Sequence, residues 1–113
     1  MTLTTDSQGN ANYVWHRHTV PAAWPRHDLT TASPDTRLSI VVDEYLPAEQ
    51  RKSGPVLLLT HGTSFSKDFW RPIIDLWLRP QCCVPISRVL ALDAVNHGDS
   101  AVANSQRLGQ EGP

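Results

Sequence analysis

An α/β domain built on a parallel strand–helix–strand unit is the fold class this sequence predicts. Three stretches carry the prediction: the apolar run Val56-Leu57-Leu58-Leu59, a second run Val89-Leu90-Ala91-Leu92, and Phe69, Trp70, Ile73, Ile74 and Trp77 between them at the spacing of one helical face. A run with no polar face is what a strand buried on both sides looks like, as in the middle of a parallel sheet. Strands joined through a helix in this way lie parallel.

The elements follow in order. Residues 1–37 are rich in Thr, Ser, Pro, Asn and Asp without a sustained period, and read as an extended arm. Within it Trp15–Val20 alternates like a short edge strand that Pro21 stops. Leu38, Ile40 and Val42 alternate with Ser39, Val41 and Asp43, and Tyr45-Leu46 extend that half-buried strand to Pro47. Residues 47–55 close on Ser53-Gly54-Pro55 as a turn before the first apolar run. After it, His61-Gly62-Thr63-Ser64-Phe65-Ser66 is a small, polar turn, and Ser66 or Asp68 can cap the helix that follows. Pro72 is tolerated only in a first turn, so the regular helix begins close to it, and Pro80 stops it. The second apolar run ends on Asp93, and Ala94–Ser100 forms a loop at the carboxyl edge of the sheet, where open α/β sheets place their ligands.

Composition narrows the function classes. The chain has 113 residues, with 10 Lys plus Arg against 11 Asp plus Glu. That balance argues against a nucleic-acid or membrane-surface binder. No apolar run approaches the ~18 residues of a membrane span. The only cysteines, Cys82 and Cys83, are adjacent, which excludes a disulfide framework and fits a reducing, cytoplasmic compartment. His16, His18 and His27 have no Cys or carboxylate at a ligand spacing to complete a set, so no metal is expected.

The stretch Leu57–Gly62 is the most informative. A buried strand running into a His-Gly turn exposes backbone N–H groups just before a helix, and such groups can stabilise an oxyanion during acyl transfer. By itself it equally describes a plain connection in which Gly62 relieves crowding. His61 and His97 have the chemistry of general bases but sit in tight turns, where a histidine more often bonds the local backbone. Trp70 and Trp77 read as core, and Lys67 with Asp68 as a solvated helix start.

Asp93-Ala94-Val95-Asn96-His97-Gly98-Asp99-Ser100 follows the next strand at one crossover's distance. Together the two motifs resemble the N-terminal portion of an α/β-hydrolase fold, in which an apolar strand enters a His-Gly oxyanion turn and the next strand ends in Asp before a Gly-x-Ser turn. In particular the chain resembles a fungal branch of peroxisomal hydrolases and hydrolases of host-selective toxin clusters. There the His-led turn continues as Phe65-Ser66-Lys67-Asp68 does here, and the later segment carries an Asn and a Leu-Gly, as Asn104 and Leu108-Gly109 do. The resemblance divides the chain into an arm (1–37), a partial hydrolase domain (38–109) and a tail (110–113). It implies that Thr63 N–H is one oxyanion donor, that Gly62 and His61 shape the turn, and that Ser64 and Phe65 face the substrate.

What the resemblance implies for activity is hydrolysis of an ester, thioester or related acyl compound by a serine, without a cofactor. The family's Gly-x-Ser-x-Gly elbow is missing from these residues, as are its acid and base, so no nucleophile is assigned. In Gly98-Asp99-Ser100-Ala101-Val102 a Val stands where the second Gly belongs. Ser100 as nucleophile of a Gly-Asp-Ser esterase is disfavoured, because that triplet belongs directly after the first buried strand. The competing reading is a non-catalytic fragment or partner-binding module, which the Glu-Gly-Pro ending favours. That ending lacks a peroxisomal tripeptide, leaving a cytoplasmic expectation for the chain and a peroxisomal one for a longer parent.

Overall fold

The computed structural model describes residues 2–3, 8–9, 11–26, 29–49, 51 and 53–109. His27 and the expected tail 110–113 lie outside the described residues. The elements are β1 (Thr2–Leu3), β2 (Gln8–Gly9), β3 (Tyr13–Pro21), β4 (Ser39–Pro47), β5 (Val56–Leu59), a 3₁₀ turn (Lys67–Trp70) that runs into α1 (Arg71–Trp77), β6 (Arg88–Leu92) and α2 (Gly98–Ala103). They form one mixed sheet in the order β1-β3-β4-β6-β5, with β2 also on β3. β5 and β6 are parallel, as the strand–helix–strand pattern requires, whereas β4 pairs with β6 and with β3 antiparallel.

The arm is more structured than its composition suggested. β3 runs beside β4 for nine residues, from Tyr13 opposite Pro47 to Pro21 opposite Ser39, and β1 and β2 pair on its other side. It is therefore an interior strand of the sheet and not an edge. Its aromatic residues explain this: Tyr13 and Trp15 pack on Tyr45, with ring centroids 5.4 and 6.3 Å apart.

Helix α1 covers one face of the sheet. Ile74 and Leu78 meet Val89, Ala91, Tyr45, Tyr13 and Trp15 in the core, and Leu57, Leu59, Trp70 and Trp77 pack around them. The helix starts where Pro72 requires, within the first two positions. Ser66 caps the preceding 3₁₀ turn by accepting from Asp68 N–H at 3.3 Å. Phe69 belongs to that turn and is exposed, so it leaves the helical face predicted for it.

Two strand expectations are corrected. In β4 the alternation is real, but the deeper face carries Val41, Asp43 and Tyr45 while Ile40 and Val42 are half-buried. Because side chains alternate with period two, the ionic partners waiting for Asp43 on the helix side set the phase. β5 was expected to be buried on both faces and is instead the sheet's last strand, with Val56 55% and Leu58 64% exposed. Among the described residues nothing pairs its outer edge or covers the face that carries Val56, Leu58, Leu90 and Leu92.

Candidate active-site turns

Two turns meet at the carboxyl ends of the parallel strands: His61–Ser66 after β5, and Asp93–His97 after β6. Phe65 N–H donates to the Gly62 carbonyl at 3.1 Å and closes the first turn. Ser64 adopts a positive φ of 72°, and Thr63 does not, which is the type II pattern. The N–H of Thr63 makes no hydrogen bond among the described residues, and the residue is exposed. Gly62, Ser64 and Phe65 are exposed as well, and Phe65 lies 4.9 Å from Phe69, centroid to centroid.

The histidines hold the turns together. His61 lies on the first turn and accepts from Ala94 N–H on the second, Nε2 to N at 3.0 Å, while its Nδ1 sits 2.9 Å from the Gly62 carbonyl. His97 lies on the second turn and accepts from Ser64 N–H on the first at 3.2 Å, with Nδ1 2.6 Å from Asn96 Oδ1. Both bonding patterns assign the same neutral tautomer, proton on Nδ1 and lone pair on Nε2. The rings lie 4.8 Å apart. Neither imidazole approaches a serine hydroxyl in these contacts. Both bind backbone.

Beneath the turns is a buried ionic cluster. Lys67 was read as part of a solvated helix start, yet it is 1% exposed, and only Asp68 beside it lies in water. Its Nζ lies 2.5 Å from Asp99, 3.2 Å from Asp93 and 3.4 Å from Asp43. Arg17 reaches in from β3 and grips Asp43 with two nitrogens, at 2.9 and 3.2 Å. Burial works against the charge on Lys67, but the carboxylates of Asp99, Asp43 and Asp93 outweigh it and raise its pKa. The Lys67 hydrogen bond holds Asp99 below the usual carboxylate range. Sequence reasoning missed this cluster, because the apolar alternation of β4 put Asp43 on the opposite face from the one the structure buries.

Asp93 joins the cluster to the backbone. One carboxylate oxygen accepts from Lys67 N–H at 2.7 Å and the other from Asp99 N–H at 2.9 Å. A Cβ at Gly98 would lie 2.5 Å from that second oxygen, and φ there is +50°, so glycine is required on both counts. Ser100 is fully buried: its Oγ donates to the Asp93 carbonyl at 2.9 Å and accepts from Val41 N–H at 2.8 Å. A hydroxyl so engaged has no open side for a carbonyl substrate. Asn104 is also buried, bonding both backbone groups of Ser39 and the Val95 carbonyl. Among the described residues no cluster of His, Cys, Asp or Glu is arranged to hold a metal.

Strand order, turn placement and crossover together define the class: the chain is part of an α/β-hydrolase fold. Within that class it is similar to the peroxisomal α/β-hydrolase Lpx1 of Saccharomyces cerevisiae, whose crystal structure it matches with a TM-score of 0.73 and 31% identity over 92% of this chain and 29% of that one. In sequence it is 38% identical over 98 residues to the same yeast protein, described as peroxisomal membrane protein LPX1. That match covers 80% of this chain, which spans about a quarter of the relative's length (25%). No family model matches the chain.

Proposed function

We propose that this chain carries the oxyanion side of a serine hydrolase that cleaves acyl compounds, esters or thioesters. The observation that carries the reading is the free, exposed Thr63 N–H in a rigid turn at the carboxyl end of β5. A carbonyl attacked by a serine develops charge on its oxygen, and a fixed donor stabilises that charge without reorganising. Phe65 and Phe69 line the approach as an apolar wall for the acyl group. The chemistry calls for no cofactor, and the nucleophile belongs to residues beyond these 113. The motif resemblance to fungal toxin-cluster hydrolases points to secondary-metabolite acyl compounds as substrates. The yeast relative's name supports peroxisomal residence for a protein that contains this segment; among the described residues no helix is long and apolar enough to cross a membrane.

A second reading, a non-catalytic module that docks on a partner, draws on the uncovered apolar face with Leu58 at 64% exposure. Fluorophosphonate labelling separates the two. The longer protein that contains this segment should be labelled on a serine and should hydrolyse an activated aryl ester, while the 113-residue chain should do neither. A longer protein that takes no label would refute the hydrolase reading. Labelling of the short chain that disappears in Ser100→Ala would replace it with the Gly-Asp-Ser alternative.

A further inference from the structure

We infer that His61 and His97 are positioning residues that fix two successive peptides of the first turn and so aim the Thr63 N–H; the inference rests on the oxyanion reading above. Thr63 N–H and the Gly62 carbonyl are opposite ends of one peptide unit. That carbonyl accepts from both Phe65 N–H, at 3.1 Å, and His61 Nδ1, at 2.9 Å. Two bonds at one end hold the plane and polarise it, which strengthens the N–H left free at the other end.

His97 governs the next peptide. A type II turn normally has glycine at its third position, where this turn has Ser64 at φ 72°. A serine would be less strained in a type I turn, which differs by reversing the Thr63–Ser64 peptide so that its N–H and C=O exchange sides. Strained backbone persists only where surroundings enforce it. Here the enforcing contact is the Ser64 N–H bond to His97 Nε2. After reversal the Thr63 carbonyl would face that nitrogen's lone pair, and the two would repel. Asn96 Oδ1, 2.6 Å from Nδ1, keeps the proton on the far nitrogen and the lone pair pointed at the turn. The His61 bond to Ala94 N–H returns the tie, so each turn is held by a side chain of the other.

The test is NMR of the ¹⁵N-labelled chain. The wild type should show a hydrogen-bond-mediated ¹⁵N–¹⁵N coupling from Ser64 N to His97 Nε2, and a strong Thr63 Hα to Ser64 HN NOE. His97→Phe should exchange that NOE for a strong Thr63 HN to Ser64 HN one, and His97→Gln, which keeps an acceptor, should restore the original pattern. Absence of the coupling in wild type, or a type II pattern that survives in folded His97→Phe, overturns the inference; the wild-type measurement decides it even where the variant does not fold. In the longer hydrolase His97→Phe should lower kcat at least tenfold with KM little changed, and His97→Gln should recover most of the loss. Equal loss in both variants overturns a positioning role. Correct NMR behaviour in the chain beside a longer protein without acyl hydrolysis would leave the positioning intact and sink the hydrolase reading alone.

Discussion

Replacing Thr63 by proline separates the donor from the fold that presents it. Thr63 is the second residue of a type II turn closed between Gly62 and Phe65, a position where proline is favoured. The N–H that proline removes has no partner, and Gly62 before it offers no Cβ to clash with the ring. The chain should therefore keep its stability or gain about 0.4–1 kcal/mol from the stiffer unfolded state. In a longer hydrolase containing this segment, the same change deletes the proposed oxyanion donor, for an expected loss of about 10²–10³ in kcat or ~3–4 kcal/mol. KM should move little, because the donor acts on charge that exists only in the transition state. Thr63→Ala, which keeps the N–H, is the control and should retain activity within a few-fold. Chemical denaturation of the chain and steady-state hydrolysis of an aryl ester by the longer protein are the two assays. A proline variant that turns over normally would refute the donor assignment, and one that unfolds would refute the turn.

Four other outcomes follow from the geometry. Lys67→Met removes the buried cation shared by Asp43, Asp93 and Asp99, leaving Arg17 to pair with Asp43 and Asp99, and should cost about 3–5 kcal/mol, read as a lower urea midpoint; an unchanged midpoint would mean the cluster is wet. Ser100→Ala orphans Val41 N–H and should destabilise by about 1–3 kcal/mol in the same assay, without altering fluorophosphonate reactivity. Tyr13 is 4% exposed, and desolvation with the Asp75 hydrogen bond pushes its pKa up to about 12. A raised folded-state pKa contributes stability that is complete below the unfolded value near 10 and lost as pH rises through about 12, so Tyr13→Phe should flatten part of the alkaline limb of a stability–pH curve. Finally, Leu58→Lys should reduce self-association seen by sedimentation, since Leu58 lies on the uncovered sheet face; equal association in both would place the sticky surface elsewhere.

The parallel pair and its helix were legible because an unbroken apolar run and a helical stripe are local patterns, and the fold obeys them in β5, α1 and β6. The motif resemblance likewise reached the correct class, which the yeast hydrolase bears out. The phase of β4 was not legible. It depends on Arg17 and Lys67, which arrive from elements 26 and 24 residues away in sequence, and only the three-dimensional meeting makes Asp43 an interior residue. The exposure of β5 was misread for a related reason: apolar content reports the burial a strand is suited to, not whether these residues supply the cover. His61 and His97 were read as backbone-binding histidines, and their contacts are of that kind. Their reciprocity could not be seen from sequence, since each one's partner lies 33 residues away on the other turn.

The ionic cluster and the paired turns are one construction. Burying Lys67 with Asp43 and Asp93, with Asp99 at the solvent side, is a poor way to gain stability, because desolvation consumes most of the attraction and apolar residues of similar size do as well or better. What the cluster supplies is direction. Asp93 accepts backbone N–H bonds from Lys67 and Asp99, which stand at the exits of the first and second turns respectively. Those two exits are thus fixed to a single carboxylate, itself held by the lysine below. The histidine bonds add the second set of constraints, from turn to turn across the top. A turn fixed at its exit by Asp93, at its first peptide by His61 and at its next by His97 has little freedom left except to offer Thr63 N–H in one direction. Such rigidity is costly for a mere loop connection and is what a preorganised donor requires.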